Sequence, residues 1–197
     1  SRPAYPEMAG ISERQVSLKP GVEDSEFVQR VLDVLETTET GRAILRDLPS
    51  GGEMPRIEFT NLLEARRLYG EYDPVRNLIR LDENFLVEDP SLAAPSLAHE
   101  LSHRTRRWWS QSIYEEYRAH YIQQQVAREI AEIGKVETEF GERVLLYQRQ
   151  LIQAVEEFSL WQLVREKYSS PHHPLPDYGR NLWNDPIVGP VYRKKGP

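Results

Sequence analysis

The sequence predicts an α+β fold, with a small, mostly antiparallel sheet packed on a helix that carries His99-Glu100-Leu101-Ser102-His103, followed by long helices. Three observations predict it. Apolar residues recur at three- and four-residue spacing before residue 48 and after residue 91, the helical period. Between these stretches short segments alternate apolar and polar, the strand period. The alternating segments are separated by turn chemistry such as Asp73-Pro74-Val75-Arg76.

Taken in order, residues 1–22 carry Pro3, Pro6, Gly10, Pro20 and Gly21 without periodicity and read as an extended arm. Phe27, Val31, Leu32, Val34 and Leu35 predict a helix over 24–37, with Asp24 or Ser25 as its cap. A second short helix runs from Gly41 to Leu48, and Pro49-Ser50-Gly51-Gly52 stops it. Strands are expected over 56–60, 67–72 and 77–81, the last two as a hairpin. Ser91 to Trp108 reads as a helix in which Pro95 is tolerated only in the first turn. Ser112 to Ile133 reads as another, closed by Gly134, and 137–168 as a third, nicked near Gly141. Residues 23–168 thus form one domain. The tail 169–197 holds six prolines together with Leu182, Trp183 and Tyr192, enough apolar surface to pack on the body.

Composition excludes several classes of function. The 197 residues carry 25 Lys+Arg against 31 Asp+Glu, a net charge of -6, which argues against a nucleic-acid binder needing a basic face. The absence of cysteine removes disulfides, thiolate metal sites and a cysteine nucleophile, and leaves the compartment open. No stretch approaches the roughly 18 apolar residues of a membrane span, and the first residues lack the apolar core of a signal peptide.

The chemistry sits in His99-Glu100-Leu101-Ser102-His103. On a helix, residues four apart share one face, so the two imidazoles can bind one Zn²⁺ at about 2.0–2.1 Å each. Glu100 points about 100° round the helix, beside such a metal, where it can hold and deprotonate the attacking water. Shuffling this composition yields roughly 0.015 matches to the pattern, so chance is a poor explanation. A catalytic zinc usually has three protein ligands. The chain has only 5 His, at 99, 103, 120, 172 and 173, and no third His follows the motif closely. A carboxylate on an antiparallel neighbouring helix can close the tetrahedron.

HExxH followed by a helix bearing Glu-x-x-Ala resembles the gluzincin class of zinc metallopeptidases, over about residues 55–133. The resemblance implies a zincin-like fold, a peptide or protein substrate, His99, His103 and Glu116 as zinc ligands, and Glu100 as general base. Ala119 supplies the small residue three positions after Glu116, where the two helices must approach. Adjacent Glu115 is the competing ligand, disfavoured because it lies nearer the aliphatic stripe of Ile122, Val126 and Ile133. In many gluzincins the residue four after the ligand Glu is an Asp that orients an imidazole. Here it is His120, so that role falls elsewhere or goes unfilled. The strand 77–81 is, by the same resemblance, the edge that accepts an extended peptide.

Weaker signals complete the reading. Tyr114, Tyr117, Tyr121, His120 and Tyr147 are candidate oxyanion donors; Tyr114, Tyr117 and Tyr121, near Trp108 and Trp109, also read as core or boundary aromatics. Arg104, Arg106 and Arg107 read as a solvated helix end that complements the helix dipole, or as a reader of acidic substrate. His172-His173 reads as coil, with a plug over the metal as the alternative. The expected function is zinc-dependent peptide hydrolysis. Its rivals are a non-catalytic zincin-fold binding or regulatory module, and a helical interaction protein whose HExxH is accidental.

Overall fold

The computed structural model describes residues 22–48, 54–106, 111–169 and 175–179. Among them are seven α-helices and one three-stranded sheet, an α+β arrangement that is mostly helical. The helices are α1 (Val22–Thr37), α2 (Glu39–Asp47), α3 (Leu62–Arg66), α4 (Pro90–Thr105), α5 (Ile113–Glu129), α6 (Glu139–Glu156) and α7 (Leu160–Tyr168). The strands are β1 (Arg56–Thr60), β2 (Gly70–Asp73) and β3 (Leu78–Asp82).

The sheet is mixed, which corrects the expected antiparallel majority. Its order is β1-β3-β2; β3 pairs antiparallel with β2 and parallel with β1. The physical reason lies in β3, where Leu78, Ile79, Leu81 and Asp82 are all buried, as suits a strand covered on both faces. The expected strand 67–72 is shorter. Asn61 and the Asp82 carboxylate accept the N–H groups of Leu62, Leu63 and Glu64 and nucleate α3. Arg67 then closes it in the left-handed region at φ 58. The hairpin turn forms as expected, with the Asp73 carboxylate accepting from Val75 N and Arg76 N.

Helix α4 is the centre of the molecule. It packs against α1, α2, α5, α6, β2 and β3. Every residue from Pro90 to Ser102 is buried, so it is not amphipathic, and Ala93, Ala94 and Ala98 let its neighbours approach closely. It starts at Pro90 on an Asp89 cap, which places Pro95 in the second turn rather than the first. A helix end at 105 replaces the expected 108, and residues 107–110, with Arg107, Trp108 and Trp109, lie outside the described residues.

Helix α5 ends at Glu129, earlier than the expected 133. The expected nick near Gly141 is instead a break at Phe158, whose φ of 55 ends α6 and turns the chain into α7. Gly141 sits inside the first turn of α6, where a Cβ would come within 2.6 Å of the buried Glu88 carboxylate. That carboxylate accepts Glu137 N and the Thr138 hydroxyl and so anchors the start of α6 to the front of α4.

Of the expected arm, only residue 22 is described, and it belongs to α1. The stop at 49–52 is likewise outside the described residues. Of the tail, 169 and 175–179 are described. Pro176 O and Asp177 O accept the N–H groups of Ile113 and Tyr114, satisfying the open first turn of α5. His172 and His173 lie outside the described residues.

Candidate metal centre

Two helices build the site. One turn of α4 places His99 and His103 on one face, and their Nε2 atoms stand 3.2 Å apart. The neighbouring helix α5 brings in Glu116. Its Oε2 lies 3.5 Å from His99 Nε2 and its Oε1 3.5 Å from His103 Nε2. Ligands at 2.0–2.1 Å around a tetrahedral zinc stand about 3.3–3.4 Å from one another. The two imidazoles hold that spacing, and Glu116 meets each of them at it through a different oxygen.

The donor set passes a second test. Glu116 is buried, and its Oε2 makes no well-formed hydrogen bond, with His99 Nε2 at 3.5 Å standing just outside one. A buried carboxylate oxygen without a partner costs folding energy unless a cation satisfies it. His99 Nε2 and His103 Nε2 face each other at 3.2 Å, a spacing that either a shared proton or a shared ion fits.

Glu115 is directed elsewhere. Its Oε1 lies 3.0 Å from Arg106 Nε, and its Oε2 lies 3.9 Å from Arg118. Adjacent glutamates thus take separate tasks, with Glu115 tying the end of α4 to α5 and Glu116 facing the imidazoles. The solvated-end reading of the arginines changes accordingly, because Arg104 is buried and Arg106 is paired with Glu115.

Glu100 is buried beside the imidazoles, and its ligand atoms fall within 4.8 Å of those of His99 and His103. The start of β2 closes over it. A Cβ on Gly70 would come 2.9 Å from Glu100 Oε1 and 3.1 Å from its Cγ, so a glycine is what lets the strand lie on this carboxyl. The edge-strand expectation for 77–81 is corrected here. β3 is the central strand with both edges paired, and β2 is the edge strand beside Glu100.

Two residues at the site were not anticipated. Gln123 Oε1 lies 3.1 Å from His99 Nδ1 and 3.2 Å from His120 Nδ1. Its spacing could have revealed it: Gln123 is seven residues after Glu116 and three after His120, the same helix face. Tyr168, at the end of α7, places its hydroxyl 3.5 Å from His120 Nε2. Nothing in the local sequence signals that, because α7 reaches the site only through the break at Phe158.

Of the tyrosines considered, Tyr147 lies near His120, with ring centroids 6.1 Å apart. Tyr117 packs with Trp161 and Tyr121, and Tyr114 packs with Tyr178. His120 brings its ring to 4.5 Å from that of His99 and shares a possible ion position with His99 and Glu116. A hollow of about 380 Å³ between α2 and α5 is lined by Glu39, Asp47, Arg118 and Glu129 and by none of the site residues.

Burial dominates the electrostatics. It raises Glu100 from its ordinary value to about 7, although His99 opposes the rise. It depresses His103 to about 4 and His120 well below the usual histidine value. Burial also disfavours a charged His99, but the Glu100 and Glu116 carboxylates outweigh it and hold His99 above the ordinary value. Burial would raise Glu116, yet His103 and His99 outweigh it and keep its carboxyl ionised.

These directions set how a metal competes with protons. A cation needs His99 neutral, and the His99–Glu100 pair takes up the first proton as pH falls. Zinc affinity is therefore expected to drop about tenfold per unit from near neutrality downward, steepening near pH 4, where His103 titrates. Chelator competition across this range measures it. A flat affinity down to about pH 5 would contradict the assignment of His99 as a ligand.

No family model, no curated protein and no solved structure matches the chain. The functional reading therefore rests on the geometry.

Proposed function

We propose that this chain is a zinc-dependent metallopeptidase with a zincin-like arrangement of sheet and helices, and that His99, His103 and Glu116 hold the metal. The observation that carries the reading is the set of three buried or half-buried groups at 3.2–3.5 Å spacing, with Glu116 facing both imidazoles and, among the described residues, no lysine or arginine paired with it to balance its charge.

Zinc held there would polarise a scissile carbonyl and lower the pKa of the attacking water toward about 7. Glu100 is the base for that water. Its pKa near 7 suits it to accept a proton at neutral pH and return it to the leaving amine nitrogen. Glu100 is also the feature that a purely structural zinc site has no use for. Tyr168 is kept protonated by burial and by the Glu116 carboxylate, and its hydroxyl stands 3.5 Å from His120 Nε2 at the edge of the site.

An extended peptide adds to β2, the edge strand that lies against Glu100. Main-chain pairing there presents successive peptide bonds to the base and the metal ligands.

The test is hydrolysis of a mixed peptide library read by mass spectrometry. Cleavage that disappears on chelation and returns on adding zinc supports the reading. Cleavage that survives complete zinc removal overturns it.

A further inference from the structure

We propose that Gln123 is a positioning residue that uses one carbonyl oxygen to fix two imidazoles at once, His99 and His120, each with its proton on Nδ1. A side-chain carbonyl has two lone pairs and can accept two N–H groups. Gln123 Oε1 lies 3.1 Å from His99 Nδ1 and 3.2 Å from His120 Nδ1, and all three side chains are buried. A neutral imidazole has one N–H. Giving it to Gln123 leaves each Nε2 as a bare lone pair.

The consequences differ for the two rings. His99 Nε2 then faces His103 Nε2 and Glu116 as an acceptor, the form a metal ligand requires. His120 Nε2 accepts from the hydroxyl of Tyr168, 3.5 Å away, and so orients that phenol beside the site. With the amide turned round, its NH₂ would face both Nδ1 atoms. His99 would carry its proton on Nε2, aimed into the space between His103 and Glu116, with no lone pair for an ion. A single amide therefore decides whether His99 can ligate.

The choice of residue matters as well as its place. A carboxylate beside a ligating imidazole makes the ring more basic, whereas a neutral amide orients it without adding charge. The site already holds the carboxylates of Glu100 and Glu116. A third anion here would favour imidazolium formation at both rings and so favour protons over the metal.

The inference rests on the metallopeptidase reading only for what the tautomer serves, and its test does not need catalysis. Nitrogen-15 NMR of the metal-free full chain, about two units above the ordinary histidine pKa, reports the protonated nitrogen of each ring. Wild type is expected to show Nδ1–H at both His99 and His120. Gln123→Met, close in shape but unable to accept, is expected to mix the tautomers and weaken zinc binding about 10–100-fold. Gln123→Glu, which accepts at the same place, is expected to restore the Nδ1–H form and recover most of the lost zinc affinity when zinc is titrated alkaline to the histidines.

Nε2–H at His99 in wild type overturns the proposal, and this measurement decides the matter even where Gln123→Met does not fold. A folded Gln123→Met with both Nδ1 protons and wild-type zinc affinity overturns it too. Nδ1–H at both rings in a chain that binds no zinc supports the clamp while removing the metallopeptidase reading.

Discussion

Glu100→Gln is expected to abolish the proposed peptide hydrolysis, to leave zinc binding intact, and to make the metal-free protein more stable at neutral pH. The first effect follows from removing the base, and a loss of about 10²–10⁴ in rate is the ordinary scale for a positioned general base. The second follows if His99, His103 and Glu116 are the ligands as proposed, although Glu100 also lies within ligand distance of the two imidazoles. The third comes from linkage. Burial raises the Glu100 carboxyl from 4.5 to about 7 in the fold, whereas in the unfolded chain it ionises near 4.5. The folded state thus holds the proton more tightly, and stability falls as pH climbs from about 4.5 to about 7. A shift of that size corresponds to a penalty on the order of 3 kcal/mol, fully present above pH 7 and absent below 4.5. Glutamine does not titrate and avoids it. Melting of wild type and Glu100→Gln in chelator should therefore coincide in acid and separate by several degrees in mild alkali. Curves that stay parallel at every pH would show that Glu100 is not desolvated, and with it the reason for its tuning would go.

The second large effect separates adjacent glutamates. Glu116→Gln is expected to lower zinc affinity by more than about 100-fold, since even residues that only orient a ligand are worth about 10–100-fold. Glu115→Gln is expected to leave zinc affinity within a few-fold of wild type and to weaken the fold instead. Glu115 pairs with Arg106, which follows α4, at 3.0 Å, and with Arg118 one turn along α5 at 3.9 Å. The loss should fall below the about 3–5 kcal/mol of a fully buried pair, because Arg106 and Arg118 keep 27% and 30% of their side chains exposed. Zinc titration and denaturant melts of the two variants check this. A weaker site in Glu115→Gln with an intact one in Glu116→Gln would reverse the assignment.

The sequence made part of this centre legible. His99, Glu100 and His103 lie within one helical turn, where spacing determines geometry, and the adjoining helix is readable from its helical period and the closing Gly134. What separates Glu116 from Glu115 is tertiary. Arg106 lies beyond the last turn of α4 and captures Glu115, leaving Glu116 for the imidazoles. Tyr168 was unreadable because it comes from a distant helix whose direction depends on a left-handed residue, Phe158, that has no glycine or asparagine to mark it.

The sheet was legible in content but not in pairing. Asn77-Leu78-Ile79-Arg80-Leu81 is a dense apolar run, the signature of a central strand, whereas the family resemblance implies an edge at this place. The parallel partner β1 returns across α3, a one-turn helix held by the Asp82 carboxylate from β3 itself. Such a side-chain cap, reaching twenty residues along the chain, leaves no periodic trace.

The central claim is that one divalent cation sits among His99, His103 and Glu116. Zinc analysis with X-ray absorption at the zinc edge, on protein made without a histidine tag or added metal, tests it most directly. The expected result is close to one zinc per chain, with two imidazole nitrogens and carboxylate oxygen at about 2.0–2.1 Å, lost in His99→Ala. A chain that remains metal-free after equilibration with zinc, or zinc retained unchanged by His99→Ala, would contradict it.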